Sequence, residues 1–182
     1  MKIARTCARS VQNVEEEDMR SLPRLRAWVT NLTQPSQWAV RLYRISHGAH
    51  TRGHRVLPPV IDALSRVLTG ADLHHAAVIG PNFSLAHGLG TVIGGSVVLG
   101  DGCVVLQNVT IGLRTFTAGN GGMPVIGDRV CIYAGAVVAG PVTIGNDAII
   151  GANAVVLEDV PAGATVVGAK ARIIPRRDPP QA

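Results

Sequence analysis

The sequence predicts a mainly β protein, a parallel β-helix of hexapeptide repeats preceded by a small α-helical region. Three observations lead there. From Leu73 on, an aliphatic residue recurs every six positions. A small or branched residue stands four positions after it, in the same register. And aromatic residues make up only 3% of the 182 residues, although 47% are hydrophobic. A core without rings, made of Val, Ile, Leu and Ala, suits a narrow, repetitive interior better than a globular one.

The aliphatic column runs Leu73, Ile79, Leu85, Ile93, Leu99, Val105, Ile111, Ile126, Ile132, Val138, Ile144, Ile150 and Val156. The second column runs Val97, Cys103, Val109, Val130, Ala136, Val142, Ala148, Ala154 and Val160. Two columns in one register mark internal repeats, and hexapeptide repeats mean a β-helix. Six residues make a short strand plus a corner, and three such units close a triangular coil. Glycine often follows the aliphatic residue, at Gly80, Gly94, Gly100, Gly112, Gly127, Gly145 and Gly151, where it is expected to permit a tight backbone turn. An antiparallel sandwich would show period two without the fixed six.

The register slips twice. Leu85 to Ile93 is eight residues, and Ile111 to Ile126 is fifteen, which reads as twelve plus three. The second slip holds residues 113–124, a stretch without strand pattern, expected to leave the prism as an excursion loop and to act as a lid. The boundaries that follow are a helical region over 1–70, the β-helix over 71–160 and a C-terminal tail over 161–182.

Within the first 70 residues, Leu22, Leu25, Trp28, Val29 and Leu32 recur at helical spacing, as do Trp38, Leu42, Ile45 and Ala49. Pro58 and Pro59 suit the first turn of a further helix. Its expected buried stripe is Val60, Ile61, Leu64, Val67 and Leu68, and Gly70 is placed to end it.

Charge and cysteine content narrow the function classes. Residues 1–70 carry 11 Lys/Arg against 5 Asp/Glu, and residues 71–182 carry 6 against 7. The excess of positive charge lies in the helical segment, where Arg41, Arg44, Arg52 and Arg55 read as solvated helix faces rather than as a nucleic-acid surface with a recognisable motif. No stretch has the roughly 18 uninterrupted apolar residues of a membrane span. Met1 to Gln12 lacks the apolar middle of a signal peptide. Lys2, Arg5 and Arg9 resemble a transit peptide only faintly. Three scattered cysteines, Cys7, Cys103 and Cys131, form no disulfide framework and no metal-ligand spacing, so a cytoplasmic protein is expected.

Few ionisable groups interrupt the repeats. Near their start stand Asp72, His74, His75 and His87, and no histidine follows. Asp72 and His87 are fifteen apart, close to one coil, so a carboxylate–imidazole contact is feasible. A carboxylate on one ring nitrogen fixes the tautomer, and the other nitrogen can take a proton from a hydroxyl. A surface histidine beside a structural aspartate fits the spacing as well. A zinc hydratase would need three histidines around the metal. His74, His75 and His87 sit too close together in the chain for that, and no metal site is expected.

The stretch from Asp72 to Gly90, ADLHHAAVIGPNFSLAHGLG from Ala71, resembles the start of the β-helix in serine acetyltransferases. So do Val105 to Gly112, VLQNVTIG, and Ile150 to Leu157, IGANAVVL. The resemblance covers about 71–174. It implies a left-handed parallel β-helix, an acetyl-CoA-dependent O-acetyltransferase, and trimers with active sites between subunits. It implies His87 as general base, Asp72 as its partner, and direct attack of the acceptor hydroxyl on the thioester, with no tightly bound cofactor. Acetyl-CoA would lie along small residues at Gly112, Ala134 and Ala152. The latter two are eighteen apart and so stack on one edge. A further eighteen leads to Lys170, which with Arg172 could meet the CoA phosphates.

Three positions depart from the serine enzymes. Ala86 stands where an Asp usually precedes the histidine. Gly122-Met123 replaces an Arg-His pair before Pro124, and Ala169-Lys-Ala-Arg172 resembles polysaccharide-modifying relatives. The acceptor therefore stays open between serine, a serine-like metabolite and a sugar or exopolysaccharide hydroxyl. A non-catalytic solenoid scaffold is the remaining alternative.

Overall fold

The computed structural model describes residues 34–114 and 122–168. The helix pattern at Leu22 to Leu32 lies outside them. Two helices, α1 (Pro35–Thr51) and α2 (Leu57–Thr69), lead into fourteen short parallel strands. These are β1 (Asp72–Leu73), β2 (Val78–Ile79), β3 (Ser84–Leu85), β4 (Val92–Ile93), β5 (Val98–Leu99), β6 (Val104–Val105) and β7 (Thr110–Gly112). They continue as β8 (Val125–Ile126), β9 (Cys131–Ile132), β10 (Val137–Ala139), β11 (Thr143–Ile144), β12 (Ile149–Ile150), β13 (Val155–Val156) and β14 (Thr165–Val166).

Every third strand shares a face. One sheet orders β1-β4-β7-β10-β13, the second β11-β8-β5-β2, and the third β14-β12-β9-β6-β3. The chain thus winds a three-sided prism. Every residue of both sequence columns is buried, and none of the aliphatic column is more than 5% exposed. One apolar side chain per face, repeated coil on coil, is a core that needs no ring.

The glycines after the aliphatic residue serve a different purpose from the one expected. None of the seven has positive φ. At Gly80, Gly100, Gly127, Gly145 and Gly151 what they permit is close stacking: a Cβ on Gly100 would fall 2.7 Å from the carbonyl carbon of Gly127. At other corners the left-handed residues are mostly polar, including Asn82, Asn108, Arg129, Asp147 and Asn153. Asn and Asp tolerate that conformation better than most residues.

The slips are visible as register. Thr110 pairs with Val137 and Val98 with Val125, each twenty-seven positions on, whereas Val125 pairs with Thr143, eighteen on. β7 and β8 occupy successive faces, so no strand is passed over. The second slip is one repeat with nine added residues, not two repeats with three. The part of the excursion over 115–121 lies outside the described residues. The first slip lengthens one coil to twenty residues, Asp72 pairing with Val92.

The helices close the first coil. β2 is an edge strand, and α1 takes its outward groups. The Tyr43 hydroxyl donates to the Ala77 carbonyl at 2.8 Å and accepts the Ile79 N–H at 3.2 Å. Arg44 donates to the carbonyls of Ile79 and Gly80. Gly70 ends α2 in the left-handed conformation, as its position predicts.

The helices do not bury the faces their apolar spacing indicates. α1 buries Ala39, Tyr43, Ser46 and Ala49, so only Ala49 of the expected stripe is inside, while Trp38 and Ile45 are exposed. α2 buries Pro58, Asp62, Ser65 and Thr69, and exposes Val60, Leu64, Val67 and Leu68. The reason is a polar contact. Ser46 donates its one hydroxyl proton to the Asp62 carboxylate at 2.6 Å, its oxygen lying 3.0 Å from the Pro58 carbonyl, and Asp62 in turn receives His75. These bonds turn α2 with its polar side inward, since a buried carboxylate must keep its partners.

Candidate active site

The corner after β3 holds two residues more than its counterparts higher in the prism. At this corner the left-handed residue recurs coil after coil as Gly90, Asn108, Gly135 and Asn153. The added residues are accommodated just before Gly90, and there His87 also takes positive φ, 60°. A non-glycine residue in that region is costly and collects at functional sites. His87 is exposed, between buried Ala86 and buried Gly88. The eight-residue slip is therefore what lifts this imidazole off the regular path of the coil.

β1 runs beside the same turn. Gly90 N–H donates to the Gly70 carbonyl at 2.9 Å, and Asp72 N–H to the Thr91 carbonyl at 2.8 Å. Asp72 and His87 thus flank one corner. The Asp72 carboxylate is turned to Arg66, 3.3 Å from Nη1. Among the described residues it makes no hydrogen bond to His87.

Above His87 the corner carries a ladder of small groups. Gly135 N–H donates to the Gln107 carbonyl at 3.1 Å, and Asn153 N–H to the Ala134 carbonyl at 3.0 Å. Ala134 and Ala152 therefore stack, as their spacing predicts. The next position up is Gly168, where a Cβ would lie 2.8 Å from the Ala152 carbonyl oxygen. The last coil is short, Ile149 pairing with Thr165, so counting eighteen past Ala152 overshoots this edge. Lys170 and Arg172 lie outside the described residues. Gly112 ends β7 and occupies a different corner from Ala134 and Ala152, so the structure does not bring the three together.

One polar group was missed by spacing arguments. The side-chain oxygen of Gln107, one coil above His87, is buried without a hydrogen-bond partner. Its signal in the sequence is a lone amide at a corner position where the two coils above carry alanine, Ala134 and Ala152. Met123, by contrast, packs against the prism core. Cys103 is no nucleophile. Burial pushes its thiol up to about 11, and it donates to the Gly127 carbonyl at 3.1 Å.

Five histidines gather elsewhere. His74 and His75 stack at 4.3 Å, and His50 lies 4.8 Å from His75. His47 Nδ1 meets the His75 carbonyl at 2.8 Å, and His54 lines a cavity with His50 and His75. Burial chiefly, and then the neighbouring His75, lower the pKa of His74.

Comparison with known proteins agrees with this arrangement. Residues 123–158 match the family described as bacterial transferase hexapeptide (six repeats). A serine acetyltransferase of Helicobacter pylori is 38% identical over 91% of this chain and 94% of its own length. One from Mycobacterium tuberculosis is 41% identical over 80% of this chain and 63% of its own. Among solved structures, Neisseria gonorrhoeae serine acetyltransferase in complex with serine superposes with a TM-score of 0.73 at 31% identity, covering 94% of this chain and 72% of that one. Isoform 3 from Entamoeba histolytica, solved with cysteine, gives 0.76 at 28% identity, covering 93% and 62%. With hexapeptide coils, a three-sided prism and a relative matched nearly end to end, the chain belongs to the serine acetyltransferase family of left-handed β-helix acyltransferases.

Proposed function

We propose that the chain transfers acetyl from acetyl-CoA to the hydroxyl of L-serine, at the corner that holds His87. The near full-length relationship to serine acetyltransferases carries this reading. The exposed imidazole at the foot of a ladder of small residues supports it.

In the proposed reaction a ring nitrogen of His87 takes the proton of the serine hydroxyl as its oxygen attacks the thioester carbonyl. Backbone N–H groups at the corner stabilise the oxyanion. The C–S bond then breaks, and the imidazolium returns its proton to the departing CoA sulfur. The products are O-acetylserine and the CoA thiol. Asp72 leaves Arg66 to hold His87 in the reactive tautomer. Pantetheine runs up the edge of Ala134 and Ala152, where short side chains leave room. The unpartnered side-chain oxygen of Gln107 turns toward the acceptor and positions it.

The active assembly is proposed as a homotrimer, with the site completed between subunits. Val78, Val98 and Val125 form an exposed apolar row on the outer face of the second sheet, which supports burial against a neighbour. We place the protein in the cytoplasm, where acetyl-CoA is available. Among the described residues no helix is long and apolar enough to cross a membrane.

A second acceptor class has its own support. Ala86 and Met123 offer no charge to the ends of an amino acid, and a sugar hydroxyl needs none. The test is CoA release by the purified chain with serine, homoserine and free or nucleotide-linked sugars. Serine is expected to turn over fastest, and His87→Ala to lower the rate by about 10²–10⁴. A sugar preferred to serine would reassign the acceptor. Unchanged turnover in His87→Ala would refute the base.

A further inference from the structure

We propose that the junction of α1, α2 and β1 binds a divalent transition-metal ion of the zinc class through Asp62, His74 and His75, with His50 as a fourth donor. The sequence gives no metal-ligand spacing for this, because the donors come from three elements. The fold assembles them. Asp62, His74 and His75 each offer a ligand atom, and these atoms lie within 4.8 Å of one another. The His50 ring, near the end of α1, is 4.8 Å from that of His75. His87, grouped with His74 and His75 by sequence alone, has no part in the cluster.

The donor chemistry selects the ion. Imidazoles with a single carboxylate suit zinc, cobalt, nickel or copper. Calcium and magnesium require mostly oxygen ligands. Donors around a tetrahedral zinc stand about 3.3 Å apart, from bond lengths of about 2.0–2.2 Å. The wider pairs must therefore close by up to about 1.5 Å, while the hydrogen-bonded His75–Asp62 pair opens by about 0.7 Å.

The site is partly preformed. Asp62 is buried, with Oδ1 held by Ser46 at 2.6 Å. Its Oδ2 accepts the backbone N–H of His75 at 3.1 Å and meets His75 Nδ1 at 2.6 Å. An ion entering between them takes the place of the proton on Nδ1. His74 Nδ1 now accepts the Ala76 N–H at 3.0 Å, so ligation through that nitrogen costs one turn hydrogen bond. The way in is a cavity of about 340 Å³ lined by His50, Gly53, His54, Arg55 and His75. The Arg55 charge at its edge is exposed and screened by solvent. A bound ion would pin both helices to β1, two residues from Asp72, without entering the acetyl-transfer chemistry.

The test is direct binding to the full chain after treatment with a chelator. Zinc is followed by calorimetry and cobalt by its visible absorption. One ion per chain and a tetrahedral cobalt spectrum are expected, with affinity lowered about tenfold or more in His75→Gln and Asp62→Asn. His50 is exposed, so His50→Ala leaves the fold intact and should weaken binding comparably. Absence of saturable binding overturns the proposal, as does equal affinity in wild type, His75→Gln and Asp62→Asn. Should the buried Asp62 variant not fold, His74→Gln and His50→Ala decide. Unchanged affinity in both refutes the site.

Discussion

Tyr43→Phe isolates one link between helix and prism. The hydroxyl is the outer partner of both the Ala77 carbonyl and the Ile79 N–H on edge strand β2. Tyr43 is 1% exposed, and burial raises its pKa, so it remains a neutral donor. Phenylalanine keeps the ring and the apolar burial but leaves two buried backbone groups unpaired. An unsatisfied buried group costs about 1–3 kcal/mol. The Ile79 bond, at 3.2 Å, belongs at the low end of that range. The expected loss is therefore about 2–4 kcal/mol. Urea unfolding at fixed protomer concentration reads it as a lower midpoint with unchanged slope. The Ile79 amide should also exchange faster with solvent. A loss under about 0.5 kcal/mol would mean that water or a shifted Arg44 replaces the hydroxyl, and would refute the edge-sealing account.

Gly100→Ala should destabilise the prism by about 1–3 kcal/mol, because the added methyl meets the Gly127–Asp128 backbone as well as the Asp128 carboxylate, and the backbone cannot yield. Thermal unfolding checks it. Ala152→Leu, at an exposed rung, should raise KM for acetyl-CoA with little change in melting temperature, and a KM unchanged in steady-state kinetics would move the CoA edge elsewhere. Asp72→Asn should lower kcat more than it affects KM for acetyl-CoA, since a partner of the base acts on orientation. His74 supplies a pH dependence. Its pKa is lower folded than unfolded, so its contribution to stability is present above the ordinary imidazole value of about 6.5 and is lost as pH falls below it. Urea midpoints across that range should fall less steeply in His74→Gln than in the wild type.

The prism was legible because its signal is one-dimensional. Each coil contacts only the coils above and below, so Leu73, Ile79 and their successors repeat in sequence as they do in space. The slip at Leu85–Ile93 likewise announced where the path departs from regularity, and His87 stands there. The sequence by itself therefore determined the repeat, the buried columns, the Ala134–Ala152 edge and the family resemblance. Tertiary structure decided what periodicity cannot encode. Apolar spacing chose the wrong faces of α1 and α2, because the Ser46–Asp62–His75 hydrogen bonds turn the polar side inward. Position suggests turns for the glycines, although what Gly80, Gly100, Gly127, Gly145 and Gly151 avoid is the backbone of the neighbouring coil. Gln107 and the histidine cluster also emerged only in three dimensions. Their meaning lies in groups brought together from distant segments, and a hydrogen bond or a set of ligands leaves no period in the chain.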